Sequence, residues 1–188
     1  MHSDPLRIWA LKKAGHPDPD SISVLDLRCK SPIQIMKPYG GIDMKDYWMN
    51  YISRAEKWGR LTSRKLPRVL AELQSSGMKL GLVTSSPDSV AHRILEIVNL
   101  IEYFGACLVG YQACRRNKTR GIFIALQKLG ACKEISGYVG DSINDYLASS
   151  RAGIYFYLSS WAHQVLNSEL NQSAARVFRN VEDLLDLI

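Results

Sequence analysis

Val139-Gly140-Asp141-Ser142-Ile143-Asn144-Asp145 joins the end of an apolar run to two carboxylates four residues apart. Ser136 to Val139 has the length and content of a buried strand. The text after it, through Ala148 to Ala152 with Gly153 as its stop, has those of a helix. The turn between them therefore lies at the carboxyl end of a strand, where open parallel sheets collect ligands. Paired carboxylates on the first turn of a helix make a compact, oxygen-rich site of the kind magnesium accepts while keeping part of its water. An acidic side chain offsetting a helix N-terminus also accounts well for Asp145. It accounts less well for an apolar strand that ends in Gly140-Asp141.

The same alternation extends in both directions. Upstream, Met78 to Thr84 reads as a buried strand, followed by a helix with Ser86 as N-cap and Pro87 at its first position. Ala106 to Val109 reads as a second strand, and Thr119 to Leu129 as a helix that Gly130 stops. Downstream, Ile154 to Leu158 is a β-branched and aromatic strand. A helix from Trp161 to Leu170, a short strand from Arg176 to Phe178 and a helix from Val181 to Leu187 close the chain. Repeated strand and helix units with apolar strands predict an α/β fold, a parallel sheet covered by helices.

Two further polar clusters fall after strands. Thr84-Ser85-Ser86 follows the first strand, where a hydroxyl and the free amides of the next helix can hold an anion such as phosphate; the alternative is an ordinary cap. Lys118 stands in a loop before a helix, where a fixed ammonium can neutralise a phosphate and the charge of its transfer. Taken alone, Lys118 reads as a surface lysine, and at least two of Arg115, Arg116 and Arg120 as solvated.

Residues 1–62 differ in kind. Leu6, Trp9 and Ala10 mark a helix that stops at Gly15-His16-Pro17. Met44 to Trp58 marks another, whose Tyr47, Trp48, Tyr51, Ile52, Ala55 and Trp58 form a stripe better read as a packing face than as a ligand pocket. The chain thus divides into a helical module at 1–62 and an α/β core at 63–188. No stretch is apolar and long enough to span a bilayer, and no signal peptide is evident after Met1, so a cytoplasmic location is expected. Cys29, Cys107, Cys114 and Cys132 show no metal-module spacing and read as reduced thiols. The balance of 24 Lys+Arg against 18 Asp+Glu, a net +6, suits an anionic partner. With no recognition helix or aromatic RNA-binding motif visible, nucleic acid is not the expected partner.

Hydroxyl, lysine and paired aspartates in this chain order, each after a strand, resemble the haloacid dehalogenase-like (HAD-like) hydrolase superfamily. Lys79-Leu80-Gly81-Leu82-Val83-Thr84-Ser85 matches its second motif, Lys118 its third and Val139 to Asp145 its fourth. The resemblance covers about two thirds of the chain, from Leu66 to its end, and is to the helical-cap type (phosphoglycolate phosphatase and beta-phosphoglucomutase-like). It implies a three-layer, Rossmann-like core, with residues 1–62 as the cap that shapes substrate choice. It further implies Mg2+-dependent hydrolysis of a small phosphorylated substrate. Thr84 and Ser85 would bind phosphate, Lys118 would steady nucleophile and phosphate, and Asp141 with Asp145 would hold the metal. Thr119 stands where the family commonly has Pro.

The family's first motif, a strand ending in DxD whose first aspartate is the nucleophile, has no match. In one reading Ser21 to Leu27 is that strand and Asp26 the nucleophile; Arg28 then occupies the acid/base position, and a guanidinium cannot exchange a proton there. In the favoured reading Pro5 to Gly15 is the first cap helix, and the motif lies upstream of Met1. In that reading the absence of the family's central first strand predicts unpaired neighbours and a marginally stable chain, unless Ile22 to Leu27 replaces it. Impaired hydrolysis is expected, or a catalytically silent protein that binds a phosphorylated ligand or a protein partner.

Overall fold

Tryptophan and tyrosine at helical spacing fold the amino-terminal text as helices, and the alternating text after it folds as parallel strands between helical layers. The computed structural model describes residues 4–23, 27, 30–58, 63–115, 117–161 and 168–188. The chain divides into two units, Met1–Thr62 and Ser63–Ile188.

In the first unit, α1 (Asp4–Lys13) packs against α3 (Met44–Trp58), with α2 (Pro32–Met36) between them in sequence. The stripe on α3 is a packing face: Tyr47, Tyr51 and Ala55 are buried, and Trp48 meets the edges of Tyr47 and Tyr51 at 4.9 and 5.5 Å. Ser31 opens α2 with a capping box to Gln34, and Pro32 follows it where a missing N–H costs nothing.

The second unit carries the sheet. Helix α4 (Leu66–Ser75) precedes β1 (Leu82–Val83); α5 (Asp88–Ile97) and α6 (Ile101–Phe104) lead to β2 (Leu108–Val109). Then come α7 (Tyr111–Cys114), α8 (Lys118–Leu129), β3 (Gly137–Gly140), α9 (Ile143–Ala152), β4 (Tyr155–Ser159), α10 (Ser168–Ser173) and β5 (Arg176–Phe178). A closing 3-10 helix spans Val181–Leu187. On one face of the sheet, Leu82, Leu108, Tyr157 and Phe178 pack with Val69, Leu70 and Leu73 of α4 and with Val181 and Leu184. On the other, Val83 and Tyr138 pack with Ile122 of α8 and with Ala148 and Ala152 of α9. The three-layer, Rossmann-like α/β expectation is thus met.

The differences from the sequence reading are local. The strand expected over Met78 to Thr84 pairs only at Leu82–Val83, and the N-cap of the next helix is Pro87, not Ser86. Lys118 is the first residue of a helix and not part of a loop. The closing helix is 3-10, and of the helix expected from Trp161 to Leu170 residues 162–167 lie outside the described residues.

The sheet itself is in two pieces. β1 pairs with β2, and β3 with β4 and β4 with β5, all parallel, but no ladder joins β1 to β3. No strand among the described residues runs through Ile22 to Leu27: Ile22 follows a 3-10 turn, and Leu27 is helical. Asp26, with Val24, Leu25, Arg28 and Cys29, lies outside the described residues.

Candidate functional site

The carboxyl ends of β1 and β3 meet the start of α8, and close backbone approach makes this possible. A Cβ on Gly121, in the first turns of α8, would stand 2.7 Å from the Val83 side chain and 2.5 Å from Cys114 Sγ. Glycine is what lets α8 lie against β1 there. Asn117 caps α8, its side chain accepting from the Arg120 amide at 3.2 Å, and so sets Lys118 at the first helical position.

A second close approach shapes the exit of β3. A Cβ on Gly140 would meet Asp145 Cβ at 2.5 Å, so the glycine that ends this strand makes room for that carboxylate. Ser142 caps α9 in a capping box with Asp145. Asp145 Oδ2 accepts from Ser142 Oγ at 2.6 Å, from the Ser142 amide at 3.2 Å and from the Asp141 amide at 3.3 Å. Asp145 Oδ1 takes the Lys118 ammonium in an ion pair whose carboxylate is almost wholly buried.

The electrostatics follow from that geometry. Burial opposes the charge on Lys118, but the fields of Tyr138, Asp145 and Asp141 and the Asp145 hydrogen bond outweigh it, so the ammonium is held well above the usual lysine range. Burial also pushes the Tyr138 phenol far up; Lys118 pulls it back only in part. Lysine stays charged and tyrosine neutral at any ordinary pH.

Of the residues expected from sequence, the structure brings Lys118, Asp141 and Asp145 together. Thr84 and Ser85 sit at the end of β1, where Thr84 Oγ1 accepts from the Ser86 amide at 3.2 Å and Ser85 is exposed. Among the described residues no hydrogen bond links either to Lys118 or the aspartates. Tyr138 escaped the sequence reading; its hydroxyl donates to the Val83 carbonyl at 3.4 Å, and an aromatic one residue inside an apolar strand end was the only available signal. Also missed was a clamp between the loops after β1 and β2. There the Asp88 amide donates to Gln112 Oε1 at 2.9 Å and the Tyr111 amide to the Ser86 carbonyl at 2.8 Å. Arg115 and Arg120 are exposed, as solvated residues are.

Asp141 is half-buried, and its carboxylate makes no hydrogen bond or ion pair among the described residues, so it fits as an oxygen ligand for magnesium with water and phosphate completing the shell. Asp145, with Lys118 on Oδ1 and three donors on Oδ2, is less free than Asp141 to ligate a cation. No group of three or more His, Cys, Asp or Glu side chains able to hold a metal occurs among the described residues.

Comparison with known proteins follows the same lines. A family model described as haloacid dehalogenase-like hydrolase matches residues 13–158. A phosphoglycolate phosphatase of Aquifex aeolicus is 32% identical over 108 residues, 56% of this chain and 50% of that protein. A pyrophosphatase, PpaX, of Oceanobacillus iheyensis is 24% identical over 121 residues, 63% of this chain and 56% of that one. The chain thus spans about half the length of these curated relatives. Among solved structures, a haloacid dehalogenase-like family hydrolase from Streptococcus pneumoniae superposes with a TM-score of 0.71 at 20% identity, over 97% of this chain and 88% of that one. A HAD family hydrolase from Deinococcus radiodurans with bound phosphate and sodium superposes with a TM-score of 0.67 at 17% identity, over 98% and 87%. At these identities the likeness is one of fold.

Proposed function

Because the chain belongs to the haloacid dehalogenase-like hydrolase family, we propose that its core binds a small phosphorylated metabolite at the carboxyl ends of β1 and β3, with hydrolysis of the phosphomonoester impaired. The observation that carries this reading is the Lys118–Asp145 pair beside the Asp141 carboxylate, which has no hydrogen-bond or ion-pair partner among the described residues. Lys118 supplies a permanent positive charge that attracts phosphate. Thr84 Oγ1 and the amides after it offer further donors at the end of β1. Asp145 positions Lys118, and the three donors on its other oxygen keep it in place. Asp141 would hold magnesium, which supplies charge neutralisation on the phosphate oxygens when bound. Lys118 is paired with Asp145, and among the described residues no match to the family's DxD nucleophile motif stands beside it, which supports impaired hydrolysis. The helical unit at 1–62 serves in this reading as the cap that selects the substrate.

A silent binding protein is the second reading, favoured by the same pairing of Lys118 with a structural carboxylate. One experiment separates the two and tests both. The full chain is assayed on p-nitrophenyl phosphate with magnesium, and its melting temperature is followed with inorganic phosphate. A phosphate-dependent rise in melting temperature that Lys118→Met abolishes is expected, with turnover far below that of an active phosphatase. Residual turnover lost in Asp141→Asn marks an impaired enzyme, and none at all marks a silent binder. Full turnover overturns the impairment, and if Asp26→Asn then abolishes it, Asp26 is the nucleophile. No thermal response to phosphate overturns the binding site.

A further inference from the structure

The turn that carries Asp141 is held at three points, and one of them lies outside the stretch from Gly140 to Asp145. A peptide unit is planar and rigid, so gripping both its oxygen and its N–H fixes where the next Cα lies. The unit between Gly140 and Asp141 is gripped in this way. Its N–H donates to Asp145 Oδ2 at 3.3 Å, and its carbonyl, on Gly140, accepts from Ser159 Oγ at 3.1 Å. The following unit is held through the Ser142 amide, which donates to the same carboxylate oxygen at 3.2 Å. Asp141 thus stands between two anchored peptide planes.

The fold explains why Ser159 is the residue that reaches. Gly140 has no side chain to brace its own carbonyl, and the space that a Cβ there would take is filled by Asp145. Successive residues of a strand alternate sides, and Ser136 O accepts from Tyr155 N at 3.1 Å, so Gly140, four residues on, also turns its carbonyl to β4. Ser159 is the last residue of β4, one beyond the Leu158 that pairs with Gly140, and it is 9% exposed. A hydroxyl buried to that degree needs an acceptor. The next serine serves the other neighbour: Ser160 Oγ donates to the Phe178 carbonyl of β5 at 3.0 Å, on the side of β4 away from β3. One serine therefore braces the turn with the carboxylate, and the other only ties β4 to β5.

We infer that Ser159 is a positioning residue of the cation site: its hydroxyl, acting through the Gly140–Asp141 peptide, sets the Asp141 carboxylate where it takes a divalent cation. The inference rests on the reading of Asp141 as the magnesium ligand. It brings in a residue 19 positions from Gly140, on a different strand, that is not itself a ligand. Placement matters more here than in a site with many carboxylates, because Asp145 is committed to Lys118 and to three donors of its own turn. A ligand whose backbone is already fixed loses less freedom when it binds. Removing an outer hydrogen-bond partner of a ligand lowers metal affinity by roughly 10–100-fold.

Manganese(II), a paramagnetic stand-in for magnesium, is the probe. Its free fraction is counted by electron paramagnetic resonance on the full chain, with magnesium as competitor, and urea melts are run beside it. Ser159→Ala and Ser159→Val are expected to weaken manganese binding roughly tenfold or more, and Ser159→Thr, which has the shape of valine but keeps a hydroxyl, to stay within about threefold of the parent. Ser160→Ala removes the corresponding hydroxyl on the β5 side and is expected to leave the affinity unchanged, whatever it does to stability. The Thr and Val pair decides the matter if Ser159→Ala does not fold. Ser159→Val binding as tightly as the parent, Ser159→Thr binding as weakly as Ser159→Val, or Ser160→Ala weakening the site equally would each overturn the inference and leave Asp141 as the ligand. A parent that binds no manganese, or an Asp141→Asn variant that binds it as the parent does, would overturn the reading of Asp141 and this inference with it.

Discussion

Lys118 and Asp145 hold one another, but they do not depend on one another equally. Asp145 keeps three donors on Oδ2 if the ammonium is removed, so its charge stays solvated by the protein. Lys118, with its side chain 27% exposed, loses its principal counter-charge if Asp145 is removed. Asp145→Ala is therefore expected to destabilise the fold by about 3–5 kcal/mol, the cost of breaking a buried pair from one side. Lys118→Met, which keeps the apolar stem, is expected to cost clearly less. Urea melts of the two variants check the order, and equal losses would mean that the cap contributes nothing. Sequence showed that Asp145 had two possible tasks, metal ligand or helix cap. Which of its oxygens are already committed depends on Lys118, which is 27 residues away in the chain.

At the scale of elements, the strand ends were legible because Gly140-Asp141 and Thr84-Ser85 break apolar runs, and the helices because glycines close them. Gly130 and Gly153 both take the left-handed conformation at their helix ends. The exact starts were less legible. Pro87 and not Ser86 is the cap because the Ser86 carbonyl is taken by the Tyr111 amide at 2.8 Å, while the Pro87 carbonyl accepts the first helical bond, from the Ala91 amide at 2.9 Å. Helix α9 opens on a reciprocal cap, in which Ser142 and Asp145 satisfy each other's amides. Ser142→Ala is expected to cost about 1 kcal/mol and to remove the Ser142 Oγ donor from Asp145 Oδ2. Thermal unfolding measures the first, and a weaker phosphate-dependent thermal shift the second. A variant as stable as the parent would show the box to be decorative.

For the whole molecule, several acidic protons are held more tightly in the folded state than in the unfolded chain. Burial raises the thiols of Cys107 and Cys114 and the phenol of Tyr138, and Lys118 is raised by its neighbours despite burial. Each group therefore keeps its proton longer when folded. Their stabilising contributions are complete below the unfolded values, about 8.5 for thiols and about 10 for tyrosine and lysine, and are lost as pH rises through the folded ones. The melting temperature is expected to hold between about pH 6 and 8, then to fall progressively above about pH 9. Tyr138→Phe should flatten the steepest part of that fall. A melting temperature unchanged beyond about pH 10 would contradict the burial of these groups.

The amino-acid sequence by itself determined the α/β class, the order of strands and helices and the three polar clusters, because these depend on periodicity, turn residues and neighbours close in the chain. The resemblance to the haloacid dehalogenase-like family further implied a central first strand that the text does not match. Tertiary structure alone decided which groups meet at the ends of β1 and β3. Two sheets form in place of one, Tyr138 bridges them at Val83, and Lys118 takes its charge partner from the cap of α9. Contacts of this kind join residues 27 and 55 positions apart, and only packing sets which unpaired group each side chain reaches.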